Sequence, residues 1–205
     1  MKSGIGIVLI FIVSTTTAQS KLGAFLKLSG PEKCWTVFHP FSAGRAWKIT
    51  RQTRDRVNQL QHHEALDTFH HGGRLDAFRH AFWMARLTQD IGPRKARSLG
   101  KAHEKGNYRD FKRKKGEDGV IQDSTATVMD LLNNETGIRT GRDNPEIPAN
   151  ELADKIIDMI KSGQLTMLKR NKEGQLCTCN GEVVKIPTAP QRPWALSFCL
   201  VPSDH

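Results

Sequence analysis

Between Arg74 and Asp90 the chain runs without a single glycine or proline, and within that stretch Leu75, Phe78, Ala81, Phe82 and Ala85 recur at helical spacing until Gly92-Pro93 stops it. Such a segment has one stable solution, an amphipathic helix buried against other helices. The surrounding sequence supplies partners. From Phe41 to about His62, Ala43, Ala46, Trp47, Val57 and Leu60 alternate with Arg45, Lys48, Arg51, Arg54 and Arg56, which predicts a helix with a basic face. Pro93 opens a further helix that carries Ala96, Leu99 and His103 on one line to about Glu104, after which Gly106-Asn107 loosens it. Arg109 to Gly119 is hydrophilic and is expected to form a loop. Asp123 or Ser124 caps a helix over Thr125 to Thr136, with Gly137 as its expected terminator. Glu151 to Lys161 follows on Leu152, Ile156, Met159 and Ile160, closed by Gly163.

After Gly163 the period changes. Leu165, Met167, Leu176, Val183-Val184 and Ile186 form short runs separated by Glu173-Gly174 and by Asn180-Gly181, a tight-hairpin signal, and Ala195 to Val201 is apolar enough for a last strand. The expected fold is mainly α, a compact helical domain over residues 41–163 with a small β-rich C-terminal extension over residues 164–205. Residues 19–40 are expected to be a lead-in segment that breaks at Ser29-Gly30-Pro31.

The start of the chain belongs to targeting. Lys2, the apolar run Ile5 to Val13 and the small residues ending at Ala18 satisfy the three-part pattern of a signal peptide over residues 1–18, so an exported protein, periplasmic or extracellular, is expected after cleavage near Ala18. With 31 basic against 21 acidic residues the chain is strongly basic, and no segment after residue 20 is apolar enough to cross a bilayer. An anionic substrate or surface is therefore the expected partner, with nucleic acid a weaker candidate. Export also allows disulfides. Of Cys34, Cys177, Cys179 and Cys199, the two-residue spacing of Cys177 and Cys179 predicts that each pairs elsewhere, one with Cys34 and the other with Cys199.

Polar residues stand where core helices prefer apolar ones. Asp76 and His80 stack at i, i+4 with Arg79 beside them. His103 lies on the inward line of its helix with Glu104 next to it, and Asp130, Asn133 and Asn134 repeat the i, i+3, i+4 spacing in an apolar setting, where a carboxylate is costly unless paired. Together these eight residues are the candidate catalytic set. Three arrangements fit them. His80, His103 and Asp130 can hold Zn²⁺ or another divalent metal that activates water, with Arg79 clamping an anionic group. Without metal, His80 oriented by Asp76 can act as general base while Arg79 and Asn134 stabilise negative charge and Glu104 serves as acid/base. In the third, Asp76–Arg79, His80–Asp130 and His103–Asn134 are hydrogen-bonded pairs that only fix helix packing. Elsewhere, the histidines at positions 62, 63, 70 and 71 read as a solvated loop or a hairpin lip near the site, the run Lys112, Arg113, Lys114 and Lys115 as a solvated loop, and Trp35, Trp47, Trp83 and Trp194 as core and interface residues.

The segments Asp76-Ala77-Phe78-Arg79-His80-Ala81-Phe82-Trp83, Ala102-His103-Glu104 and Met129-Asp130-Leu131-Leu132-Asn133-Asn134 resemble those of a family of exported bacterial domains of unknown function, over roughly residues 40–165. That resemblance implies a helical domain found as stand-alone secreted proteins or at the C-termini of wall-associated and polymorphic-toxin-like chains. A second likeness, in the order of His80, His103-Glu104 and Asp130, is to the metal-dependent phosphohydrolases named for a His-Asp pair, from which the chain departs by carrying Glu104 for Asp. The functional expectation is a secreted hydrolase for a phosphate-bearing or anionic polymer or lipid. Its alternative is a non-catalytic exported domain that binds anionic envelope polymer or nucleic acid.

Overall fold

A computed structural model describes residues 22–113, 123–187 and 193–205. The expected signal peptide lies outside the described residues, as do Lys114, Lys115 and the rest of the hydrophilic stretch to Gly119. Residues 22–27 are helical (α1). Six longer helices follow: α2 (Gly30–Phe38), α3 (Pro40–Gln59), α4 (Arg74–Ile91), α5 (Pro93–Lys112), α6 (Ser124–Asp143) and α7 (Ala149–Lys161). Strands β1 (Thr166–Leu168) and β2 (Leu200–Pro202) pair antiparallel, with Met167 opposite Val201. The domain is mainly helical with a short two-stranded appendage, as the periodicity predicts.

The long unbroken helix is the axis of the fold. On α4, thirteen of eighteen residues are buried, because α3, α5, α6 and α7 all pack on it. Leu75, Phe78 and Phe82 meet Leu152, Ile156 and Ile160 of α7 on one flank. Trp83, Met84 and Leu87 meet Trp35, Ile49, Leu99 and Ile138 on the other. Trp35 is 6% exposed, so the segment expected to be a lead-in contributes to the core. Ser29-Gly30-Pro31 does break the chain, but it does so as the start of α2: the Ser29 hydroxyl accepts from the Glu32 N–H and the Glu32 carboxylate accepts from the Ser29 N–H.

Three boundaries differ from the sequence reading, each for a tertiary reason. Gly137 does not terminate α6. It lies mid-helix with Gly141 one turn on, and a Cβ at these positions would stand 2.2 Å from the Ala81 carbonyl oxygen and 2.3 Å from that of Ala85. The two glycines let the backbones of α6 and α4 touch. Gly106 likewise sits inside α5, where a Cβ would come within 2.4 Å of the Ser29 hydroxyl. The stretch expected to be a loop from Arg109 is helical to Lys112, with Tyr108 and Phe111 packed edgewise on Trp194.

The appendage is fastened from several sides. Both amide atoms of Asn133 bond the backbone of Thr166, at 2.8 and 2.9 Å. The Leu168 N–H donates to the Gly72 carbonyl, and Arg74 donates to that of Ser203. Asn180-Gly181 makes the expected tight turn, with Gly181 at φ 88° and Cys177 bridged to Val183, while of the expected last strand, Ala195 to Val201, only Leu200 and Val201 lie in β2. Cys179 and Cys199 form a disulfide. The expected partnership of Cys34 with Cys177 is not made. Both thiols are free: Cys34 faces solvent on α2, and Cys177 is buried in the appendage.

Candidate metal and catalytic site

The polar motifs converge where α4, α5 and α6 cross. Asp76 and His80 come from α4, one turn apart, and Asp130 faces them from α6; all three are at most 2% exposed. One ligand atom from each lies within 4.8 Å of the others. The close seam at Gly137 and Gly141, which draws α6 onto α4, puts Asp130 Oδ1 3.3 Å from His80 Nε2. Asp76 Oδ1 is 3.6 Å from the same nitrogen and 2.6 Å from Arg79 Nη2.

The proton on His80 is placed by its neighbours. Nδ1 is 3.2 Å from Asn134 Oδ1, which can only accept, so Nδ1 carries the hydrogen. Nε2 is then the basic nitrogen, turned toward both carboxylates and toward Arg79 Nη2 at 3.1 Å. Burial, followed by the nearby Arg79 charge, pushes His80 down to about 3. The imidazole is neutral at physiological pH.

The two aspartates are driven apart. Burial works against ionising Asp76, but Arg79, His80, His71 and the Gly72 N–H outweigh it and hold this carboxyl below the usual carboxylate range. The Gly72 N–H donates to Asp76 Oδ2 at 2.7 Å. Asp130 is raised well above that range by burial and by the negative charges of Asp76 and Glu104, and no hydrogen-bond donor among the described residues reaches its Oδ1. Glu104, 4% exposed, is raised chiefly by burial; its Oε2 accepts from Asn107 at 3.1 Å, while Oε1 has no donor among the described residues. Divergent carboxyls beside a neutral imidazole are what acid–base chemistry requires.

The remaining candidates are placed differently. His103 lies beside the cluster, its ring centre 6.3 Å from that of His80, but its Nδ1 is 3.0 Å from Glu32 and its ring packs edgewise on Trp83. Asp76, not His103, is the third member of the candidate ligand set. The expected His103–Asn134 pair is not formed: His103 Nδ1 is turned to Glu32, and Asn134 Oδ1 faces His80. The expected Asp76–Arg79 and His80–Asp130 contacts are both present. Asn133 points the other way, into β1, as described. Arg79, with 37% of its side chain exposed, reaches from the buried cluster to the surface.

Glu32 is the partner that sequence reasoning missed, and for His71, expected in a solvated loop or a hairpin lip near the site, it missed the contact with Asp76. The Ser29-x-x-Glu32 spacing was a readable signal for the first, as a capping box, though not for its contact across to α5. His71 Nδ1 is 4.0 Å from Asp76 Oδ2, and no spacing rule foretells a contact made by a turn. The cleft between α6 and α7, about 880 Å³ and lined by Arg139, Asp143, Lys155 and Asp158, shares no residue with the cluster.

A family model described as a domain of unknown function, DUF6973, matches residues 33–164. The chain belongs to the DUF6973 family. The DUF6973 match begins within α2 and ends after α7, so it takes in Trp35, the cluster and the glycine seam, and leaves the β appendage outside. No curated protein and no solved structure matches the chain.

Proposed function

We propose that Asp76, His80 and Asp130 hold a divalent cation such as Zn²⁺, and that the protein is an exported hydrolase acting on a phosphate-bearing or otherwise anionic polymer or lipid. The observation that carries this reading is the Asp130 carboxyl, buried, with no donor to Oδ1 among the described residues, and aimed at the unprotonated nitrogen of His80. Ionised, a buried carboxyl in that place is costly in a structural network, and a bound cation would offset that cost. Three further features support it. Two carboxylates and an imidazole are oxygen and nitrogen donors of the kind that would hold a divalent cation. His80 donates its other N–H to a carbonyl oxygen, the usual orientation of a metal-bound histidine. Arg79 stands on the solvent side, where a guanidinium released from Asp76 by a bound cation would face an anionic group.

A cation held by Asp76, His80 and Asp130 would supply an activated water and polarisation of an anionic substrate. Glu104, whose carboxyl is pushed up chiefly by burial, would supply a proton to the leaving group. His103, fixed by Glu32, orders the side of the site nearest α2. The disulfide fits export, since such bonds persist in oxidising compartments. The test is elemental analysis after dialysis against Zn²⁺, with hydrolysis of bis(p-nitrophenyl) phosphate as a generic activity probe. One ion per chain is expected, absent from His80→Ala and Asp130→Asn, and turnover is expected to vanish in the same variants while their melting curves stay near the parent's. Variants that keep the fold but bind and turn over as the parent does overturn the proposal. Variants that unfold assign the cluster to helix packing.

A further inference from the structure

The corner between α2 and α3 carries a second feature, independent of the proposed chemistry. Among the described residues the three most exposed large apolar side chains are Phe41 at 94%, Phe38 at 75% and Val37 at 65%, and they surround this one corner. The corner is built, not loose. Only His39 separates the two helices; its N–H donates to the Trp35 and Thr36 carbonyls, its ring stacks on buried Trp35, and Pro40 starts α3. The apolar side chains are therefore held outward by a fixed backbone.

The charge around them is mostly positive. Lys33 precedes Val37 by one turn, and Arg45 and Lys48 follow Phe41 at i+4 and i+7, on the same face of α3. Along its length α3 bears five cations against the single acid Asp55. Arg45 is paired with Asp90, but Lys48, Arg51 and Arg54 stand exposed, with Arg51 laid over the Trp47 ring. A protruding apolar tip backed by a row of cations and an aromatic ring is the composition of an interfacial membrane anchor.

We propose that the α2–α3 corner docks on an anionic lipid bilayer, with Val37, Phe38 and Phe41 entering the boundary between headgroups and acyl chains and the α3 cations meeting the headgroups. A hydrated anionic polymer offers nothing for three apolar side chains, and nucleic acid, whose bases could stack on Phe38 and Phe41, offers nothing for Val37. A second copy of the chain would bring the same cations face to face across a two-fold axis. Only the bilayer answers both the apolar tip and its charge.

The test is co-sedimentation of the full chain with vesicles of phosphatidylcholine, alone or mixed with phosphatidylglycerol. Binding to the mixed vesicles is expected, weakening with added salt. It should fall roughly tenfold or more in the Val37→Ser/Phe38→Ser/Phe41→Ser variant and, by a separate route, in Lys48→Glu/Arg51→Glu. Because all five side chains are exposed or half-exposed, both variants should melt as the parent does, which keeps the result free of folding losses. The triple serine variant binding as tightly as the parent would overturn the proposal and point to the N-terminal apolar run. Equal binding to both vesicle types would overturn the electrostatic half. A dimer of the parent that the serine variant dissolves would assign the corner to a second copy of the chain.

Discussion

Replacing Gly137 by alanine is the sharpest test of how α4 and α6 meet. The new Cβ would lie 2.2 Å from the Ala81 carbonyl oxygen and 2.8 Å from the Ala81 Cα. Ordinary carbon–oxygen contact is about 3.3 Å, so the helices must part by about 1 Å. Both obstructing atoms belong to a buried helix backbone, and no side-chain rotamer can yield. Overpacking of this kind costs about 3 kcal/mol, the upper end of the usual range, while alanine's better helix propensity returns about 1, leaving a net loss of about 2 kcal/mol. For a domain of this length that lowers Tm by about 4–8 °C. Gly44→Ala is the matched control. It lies within α3, where a Cβ meets nothing within 4 Å, so propensity acts alone and stability should rise by up to about 1 kcal/mol. Thermal and urea melts of the two variants should move in opposite directions. The double variant Gly137→Ala/Gly141→Ala should cost less than the sum of the singles, because one displacement relieves both clashes. If Gly137→Ala melts at or above the parent, the seam is not closed as described and the placement of Asp130 beside His80 falls with it.

Other consequences are open to the same kind of measurement. Glu32 is held down to about 2: burial opposes its ionisation, but the hydrogen bond and charge of His103 and the bonds from Ser29 win. A carboxyl lowered in the folded state adds stability that is complete above its unfolded value near 4.5 and lost as pH falls toward 2. Urea melts between those limits should therefore show a steep acid loss that Glu32→Gln flattens; an unchanged slope would mean that the His103 contact is not made. Asn133→Ala removes both bonds to Thr166 and should cost about 2–3 kcal/mol and expose β1 to protease, whereas a loss of turnover with full stability would argue for a role in the site instead. Reduction of Cys179–Cys199, which closes a loop of 20 residues, should cost about 3 kcal/mol and open the C-terminal strands to proteolysis before the helices. In the native protein a thiol reagent should label Cys34 and spare Cys177, and mass spectrometry showing a bridge between those two would contradict the description.

The helices α3, α4, α5 and α7, the caps at Asp123 and Gly163 and the turn at Asn180-Gly181 were legible because their causes are local: periodicity, a side-chain oxygen or a positive φ acts within a few residues. The inward polar positions Asp76, His80, Glu104 and Asp130 were legible as well, since helical spacing alone sets them on apolar faces. Which of them meet was not. Asn133 and Asn134 are adjacent in sequence, yet a helix turns them by about 100°, so one holds β1 and the other holds His80. Only the packing of α6 decides which neighbour each finds. Gly137 carries a local signal for ending a helix, and the same missing Cβ serves to bring two backbones together; the choice depends on whether Ala81 and Ala85 lie opposite. The cysteines show the same division, since spacing says that Cys177 and Cys179 do not pair with each other, while the partner of either is fixed by the strands that carry it to Cys199. Sequence determines the faces that each element offers, because side-chain direction is a property of the local backbone, and tertiary structure determines the pairs, because distance across elements is set by every contact in the core at once.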